Sequence, residues 1–131
     1  MQPDGFSYIL YSEENNITCH KPFVSPLELK SSYIIVKCRP TYIDHLLENN
    51  ITIKAANANA FLAQFNTPKL KNFTPSILDN IVFYLHFFKG HISLDQLSKR
   101  YQYSNQKIKN GFKNSIGLSF NEYKNILLSI T

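Results

Sequence analysis

Apolar positions keep two rhythms along this chain, and the change falls at Pro40. Before it they come in short runs. Phe6-Ser7-Tyr8-Ile9-Leu10-Tyr11 predicts a strand that ends in the polar stretch Ser12 to Asn16, and Ile17-Thr18-Cys19-His20 predicts another that stops before Pro22. The Asn15-Asn16 pair suits a hairpin turn, and its flanking acids suit a looser loop equally well. Ser32 to Cys38, β-branched and bounded by Ser-Ser and Arg39-Pro40, is the clearest strand. Three short strands cannot close a barrel, so the expected sheet is open and leans on helices or on a partner.

After Pro40 the period becomes helical. Thr41 with Asp44 resembles a capping box, Ile43, Leu46 and Leu47 give one apolar face, and Glu48-Asn49-Asn50 ends it. Alanine-rich Ala55 to Phe65 predicts a second helix. Asn66 to Phe73 reads as a linker. Thr74 as cap, Pro75 in the first position and Gly90 past the end then bracket a helix. Ile77, Ile81, Leu85 and Phe88 form its stripe, while Val82, Phe83, Tyr84 and Phe87 widen it, which implies packing on two sides. Ser93 with Gln96 caps a short helix carrying Leu94, Leu97 and Tyr101. Ser104 caps the next, from Asn105 to about Ser115, with Ile108 and Phe112 inward and Gly117 at its end. Ser119 with Glu122 opens the last, whose inner face is Tyr123, Ile126, Leu127 and Ile130.

The expected fold class is therefore α+β: short antiparallel strands first, then a mostly helical half with one helix-turn-helix. The expected division is a strand-plus-helix region over 1–73 and a helical subdomain over 74–131. Charge sharpens that division. Of the formal +5 over 131 residues, residues 1–74 carry +1 and residues 75–131 carry +4, from seven cations and only Asp79, Asp95 and Glu122. A basic subdomain of that size makes nucleic acid a candidate partner.

Only Gln102 and Tyr103 separate two short helices, the second of which opens on a serine cap. That is helix-turn-helix spacing: one helix braces on the DNA backbone while the other lies in the major groove. The residues of Ile92 to Ser104, followed by Ile108, Phe112-Lys113, Ile116-Gly117-Leu118-Ser119-Phe120 and Tyr123, resemble the AraC/XylS family of bacterial transcription regulators. The resemblance covers roughly Ile77 to Leu128. It implies DNA binding without a cofactor. That family's DNA-binding region has two such units joined by a long helix. This chain matches the first and stops at Thr131, inside the expected linking helix. Asn110 and Gly111 stand where the family usually carries arginine and a bulky apolar residue, Ser98 replaces its alanine and Gln102 its glycine. Losing that arginine removes a strong phosphate or guanine contact. Ile34 to Pro40 with the short helix after it looks like the end of a sensor domain in some relatives. A remnant of that size is too small to enclose an effector, so none is expected.

If the third helix enters the groove, Asn105, Gln106, Lys109 and Asn110 are the candidate base contacts. Lys99, Arg100, Ser104, Lys107, Lys113 and Lys124 are the candidate phosphate contacts. One unit covers one half-site of double-stranded DNA. The alternative is therefore a non-enzymatic interaction module, which dimerises through the wide helix at 75–89 or occupies a partner regulator's surface. Other chemistry finds little footing. Cys19, His20, Cys38, His45, His86 and His91 show no metal-ligand spacing, and neither a phosphate loop nor a nucleophile motif occurs, so no enzyme is expected. Two cysteines without CxxC spacing imply no disulfide framework, although a Cys19–Cys38 bridge is conceivable on neighbouring strands. The longest apolar run, Ile81 to Leu85, is far short of a membrane span, and no basic-then-apolar leader opens the chain. A cytoplasmic protein without a membrane partner is expected.

Overall fold

In the computed structural model, which describes residues 1–12, 14, 16–29, 32–71 and 74–130, the chain is α+β. β1 (Ser7–Ser12) is the centre of an antiparallel sheet ordered β2-β1-β3, with β2 at Ile17–His20 and β3 at Tyr33–Cys38. Ile9 lies opposite both Cys19 and Val36, and Tyr8 opposite His20 and Lys37. All six β1 residues are buried, so both faces of the central strand are covered, while Thr18, Ile35 and Lys37 of the outer strands stay exposed. Ile9 and Tyr11 face a helical cluster that includes Tyr42, Ile43, Leu46 and Phe61. On the other face Tyr8 meets Phe23, in a segment pinned by reciprocal backbone hydrogen bonds between Met1 and Leu27. Cys19 and Cys38 occupy the two outer strands and are free thiols. With β1 between them they stand about two strand spacings apart, beyond disulfide reach. Asn15 of the expected turn and Asn72-Phe73 of the expected linker lie outside the described residues.

The helices of the first half differ in detail from their sequence signals. α1 (Tyr42–Glu48) does start after Thr41, but no side-chain cap forms: the Thr41 hydroxyl donates to Asp79, and Asp44 pairs with Lys21 at 3.6 Å. Tertiary partners outcompete the local box. Tyr42 takes the inward position, and Leu47 points to water. The alanine-rich helix is shorter than expected. Asn57 caps Ala60 at 2.8 Å, so α2 runs Ala58–Ala63 and tightens into a 3-10 turn at Gln64–Asn66. The linker contains one helical turn, α3 (Pro68–Lys71), held where buried Leu70 accepts the Tyr42 hydroxyl at 2.8 Å.

α4 (Ile77–Phe87) is capped by Ser76, not Thr74. Ser76 and Asp79 satisfy each other's backbone N–H, whereas a helix capped at Thr74 would have Ile77 in the position that needs a carboxylate. At its far end Lys89 and Gly90 both take positive φ and return hydrogen bonds to His86 and Leu85. Ile81, Val82 and Leu85 are buried, but Phe83, Phe87 and Phe88 stay in water. The helix meets the second cluster through Ile81 and Leu85 and the first half through Asp79 and His86, which contact Thr41 and Phe6, and leaves the Phe83–Phe87 side exposed. α5 (Leu94–Tyr101), α6 (Asn105–Gly111), a π-turn at Phe112–Ile116 and α7 (Phe120–Ile130) complete the second cluster. Its centre is Leu97, Ile108, Phe112 and Tyr123, with Phe112 edge-on to both Phe120 and Tyr123 at 5.4 Å. Ile130, expected inward, is exposed one turn beyond the buried Ile126-Leu127 pair.

One polar chain joins the ends of the sequence. The fully buried Tyr123 hydroxyl donates to the Gly5 carbonyl at 2.6 Å, so His86 Nε2, 2.7 Å away, carries the hydrogen and donates to it. Gly5 has φ +84°, and a Cβ there would sit 2.9 Å from the tyrosine oxygen. Glycine is what lets the first residues approach α7.

Candidate nucleic-acid interface

The turn between α5 and α6 is built by three local devices. Gln102 closes α5 in the left-handed region at φ 56°, a conformation that favours glycine. The Ser98 hydroxyl donates to the Tyr103 carbonyl, and the Tyr103 N–H returns to the Ser98 carbonyl at 3.3 Å. The Ser98 side chain thus gives this turn an extra clasp. Ser104 then caps α6 by accepting from Lys107 N at 3.1 Å. Leu97 and Ile108 are buried beneath.

Around this frame the ten candidate residues separate. Gln106, Lys109 and Asn110 are exposed on the outer side of α6, and exposed Lys113 follows in the π-turn. Gln106 Nε2 donates to Asn110 Oδ1 at 2.9 Å, four residues on. Asn105 does different work: its amide donates to Asp95 at 2.8 Å and ties the start of α6 to the start of α5. Ser104 is spent on the cap. Lys107 lies over the Tyr103 ring at 4.0 Å and lines the cleft between α6 and α4. Arg100 stacks on Tyr84 of α4 at 4.2 Å. Lys99 is exposed on α5, whereas half-buried Lys124 lies on α7 where its backbone passes Gly90. The structure therefore brings four of the ten onto one surface: Gln106, Lys109, Asn110 and Lys113.

No family model, curated protein or solved structure matches this chain.

Electrostatics favours an anion at this surface. Lys21–Asp44 and Lys37–Asp4 are ion pairs of the first half; among the described residues no cation after Thr74 is in one. The acids of the second half sit in first helical turns. Asp79 closes the box with Ser76, Asp95 holds Asn105, and Glu122 accepts the Ser119 backbone N–H while its own backbone N–H donates to the Ser119 hydroxyl. The backbone and side chain of Ser119, with Lys113 nearby, hold the Glu122 carboxyl below its usual range. The lysines of α6 and the π-turn thus face water without a paired acid.

Other chemistry has little geometry behind it. Among the described residues no three His, Cys, Asp or Glu side chains converge, and no helix is long and apolar enough to cross a membrane. Burial pushes the Cys38 thiol up to about 12, so it is protonated at neutral pH. Two roles went unseen in the sequence. Asn110 acts as the partner of Gln106, which the spacing of four already allowed. The His86–Tyr123–Gly5 chain had no local signal, because its ends are 118 residues apart.

Proposed function

We propose that this protein is a DNA-binding transcription regulator of AraC type, with a single helix-turn-helix whose α6 lies in the major groove. The observation that carries this reading is the exposed outer side of α6, where a hydrogen-bonded Gln106–Asn110 pair stands beside unpaired Lys109 and Lys113. Bonding to Asn110 uses one of the two Gln106 amide hydrogens. The other hydrogen and Oε1 remain, which is the donor–acceptor set that reads adenine N7 and N6. Asn110 is then a positioning residue for Gln106, and Asn105 positions the helix. Lys109 reaches guanine or phosphate, while Lys113 and Lys99 serve phosphates.

Fluorescence anisotropy with a random-sequence duplex tests the reading. Affinity should fall steeply with salt, and Lys109→Ala with Lys113→Ala should weaken binding to every sequence and flatten the log–log salt slope by about 2, at ~0.9 per phosphate contact. Gln106→Ala should instead relax base preference in selection from a randomised duplex pool. No binding at low salt, or equal loss of preference from all three substitutions, overturns the assignment.

A further inference from the structure

The exposed side of α4 has the make-up of an interface. Asp79, Phe83 and Phe87 follow each other at intervals of four, so they form one row along the helix. Phe83 is 66% and Phe87 68% exposed, with Phe88 beside them at 42%. The Phe83 and Phe87 rings stack 6.4 Å apart, and Phe88 meets Phe87 edge-on at 5.1 Å, so the three rings make one surface. It continues onto α7 through Ile130, which shares a cleft with His86 and Lys89. Beside Phe83 opens a second cleft of about 270 Å³, walled by Phe6, Pro40, Val82 and His86 with Arg39 and Asp79, of opposite charge, at its edge.

We propose that this face binds a second copy of the same chain, α4 against α4 in antiparallel register about a two-fold axis. Charge selects the occupant. The protein carries +5, yet no formally charged residue lies between Asn80 and Phe88, and burial keeps His86 neutral at pH 7. Two such rows meet without bringing like charges together, and Arg39 at the neighbouring cleft is offset by Asp79 beside it. The ends of the row are complementary as well. Asp79 stands at one end and Lys89 just past the other, so antiparallel pairing brings each Lys89 toward the acidic first turn of the other helix. That contact occurs twice by symmetry, and the helix dipoles oppose. A register centred between Phe83 and Phe87 sets Phe83 against the second copy's Phe87, and the 270 Å³ cleft has room for that ring. At about 200 Å² per exposed phenylalanine, the three rings contribute ~350 Å² per copy, against ~800 Å² per partner in a standard interface. Exposed Ile130 adds to the rings, and a patch short of a standard interface describes a weak, reversible dimer.

Sedimentation equilibrium of the full chain from about 1 µM to about 1 mM reads this directly. Wild type should pass from monomer to dimer. Phe83→Ser with Phe87→Ser should raise the dissociation constant at least tenfold, and both side chains are exposed enough for the fold to persist by circular dichroism. Lys89→Glu should weaken the dimer severalfold at low salt and much less at high salt. A monomer throughout the range, or a dimer undiminished in the phenylalanine variant, overturns the proposal. The same variant on a short single-site duplex keeps DNA recognition a separate question: binding there should match wild type.

Discussion

Replacing Tyr123 by phenylalanine removes one oxygen and tests how firmly the N-terminal residues are bound to α7. The ring stays, packed edge-on to Phe112, so no cavity opens. What is lost is the middle of the His86–Tyr123–Gly5 chain. The Gly5 carbonyl and the His86 Nε2–H lose their partner together. At about 1–3 kcal/mol for each buried group left unsatisfied, with His86 able to recover some solvation, the expected loss is ~2–4 kcal/mol. Against a typical ~5–15 kcal/mol for a domain, that is a large fraction. The assay is urea unfolding followed by far-UV circular dichroism, with Tyr42→Phe as a comparison. Tyr42 donates to one carbonyl, that of Leu70, and its loss should be nearer ~1 kcal/mol. Limited proteolysis adds a local readout, because cleavage near Gly5 should speed up only in the Tyr123 variant. A Tyr123→Phe loss below about 0.5 kcal/mol, less than one ordinary hydrogen bond, would refute the reasoning.

Other expectations follow from the same structure. Gln102→Gly relieves a left-handed side chain, which costs ~1–2 kcal/mol, and loses part of that gain to chain entropy. Net stabilisation of about 0.5–1 kcal/mol is expected with DNA affinity unchanged, and a lower melting temperature would contradict the turn geometry. Burial lowers the pKa of His86, opposed by Asp4 and assisted by Lys37. The unfolded chain therefore binds this proton more readily than the folded one. The associated stability is fully present above about pH 6.5 and is lost as pH falls through the lowered folded value. Urea midpoints measured from pH 7.5 to 5 should decline less in His86→Gln than in wild type; parallel declines would exclude His86 as the cause.

Much of the second half was legible because its signals are local. Ser93 with Gln96, Ser104, and Ser119 with Glu122 each satisfy helix donors within three residues, and all three caps form where their spacing places them. The strands were legible for a related reason. Alternation and β-branching place Tyr8 and Ile9 on opposite faces, whichever element covers each face. Local signals mislead where a distant partner competes with a near one. Thr41 gives its hydroxyl to Asp79 of α4, and that carboxylate also recruits Ser76 as cap in preference to Thr74. Leu70 turns part of a polar linker into a helix because one buried contact outweighs its composition.

The candidate interface divides in the same way. That α6 is short, basic and amide-rich is written in Gln106, Lys109, Asn110 and Lys113, since four-residue spacing fixes which side chains share a helix face. The sequence by itself therefore determined the α+β class, the caps of α5 to α7 and the basic character of the second half. Tertiary structure alone decided that Asn105 braces while Gln106 and Asn110 pair, that Arg100 and Lys107 lie on aromatic rings, and that Phe83 and Phe87 remain in water. It also decided that the last helix holds the first residues through Tyr123. Local periodicity can mark a residue as apolar or polar, but its partner depends on which surfaces meet when distant segments pack.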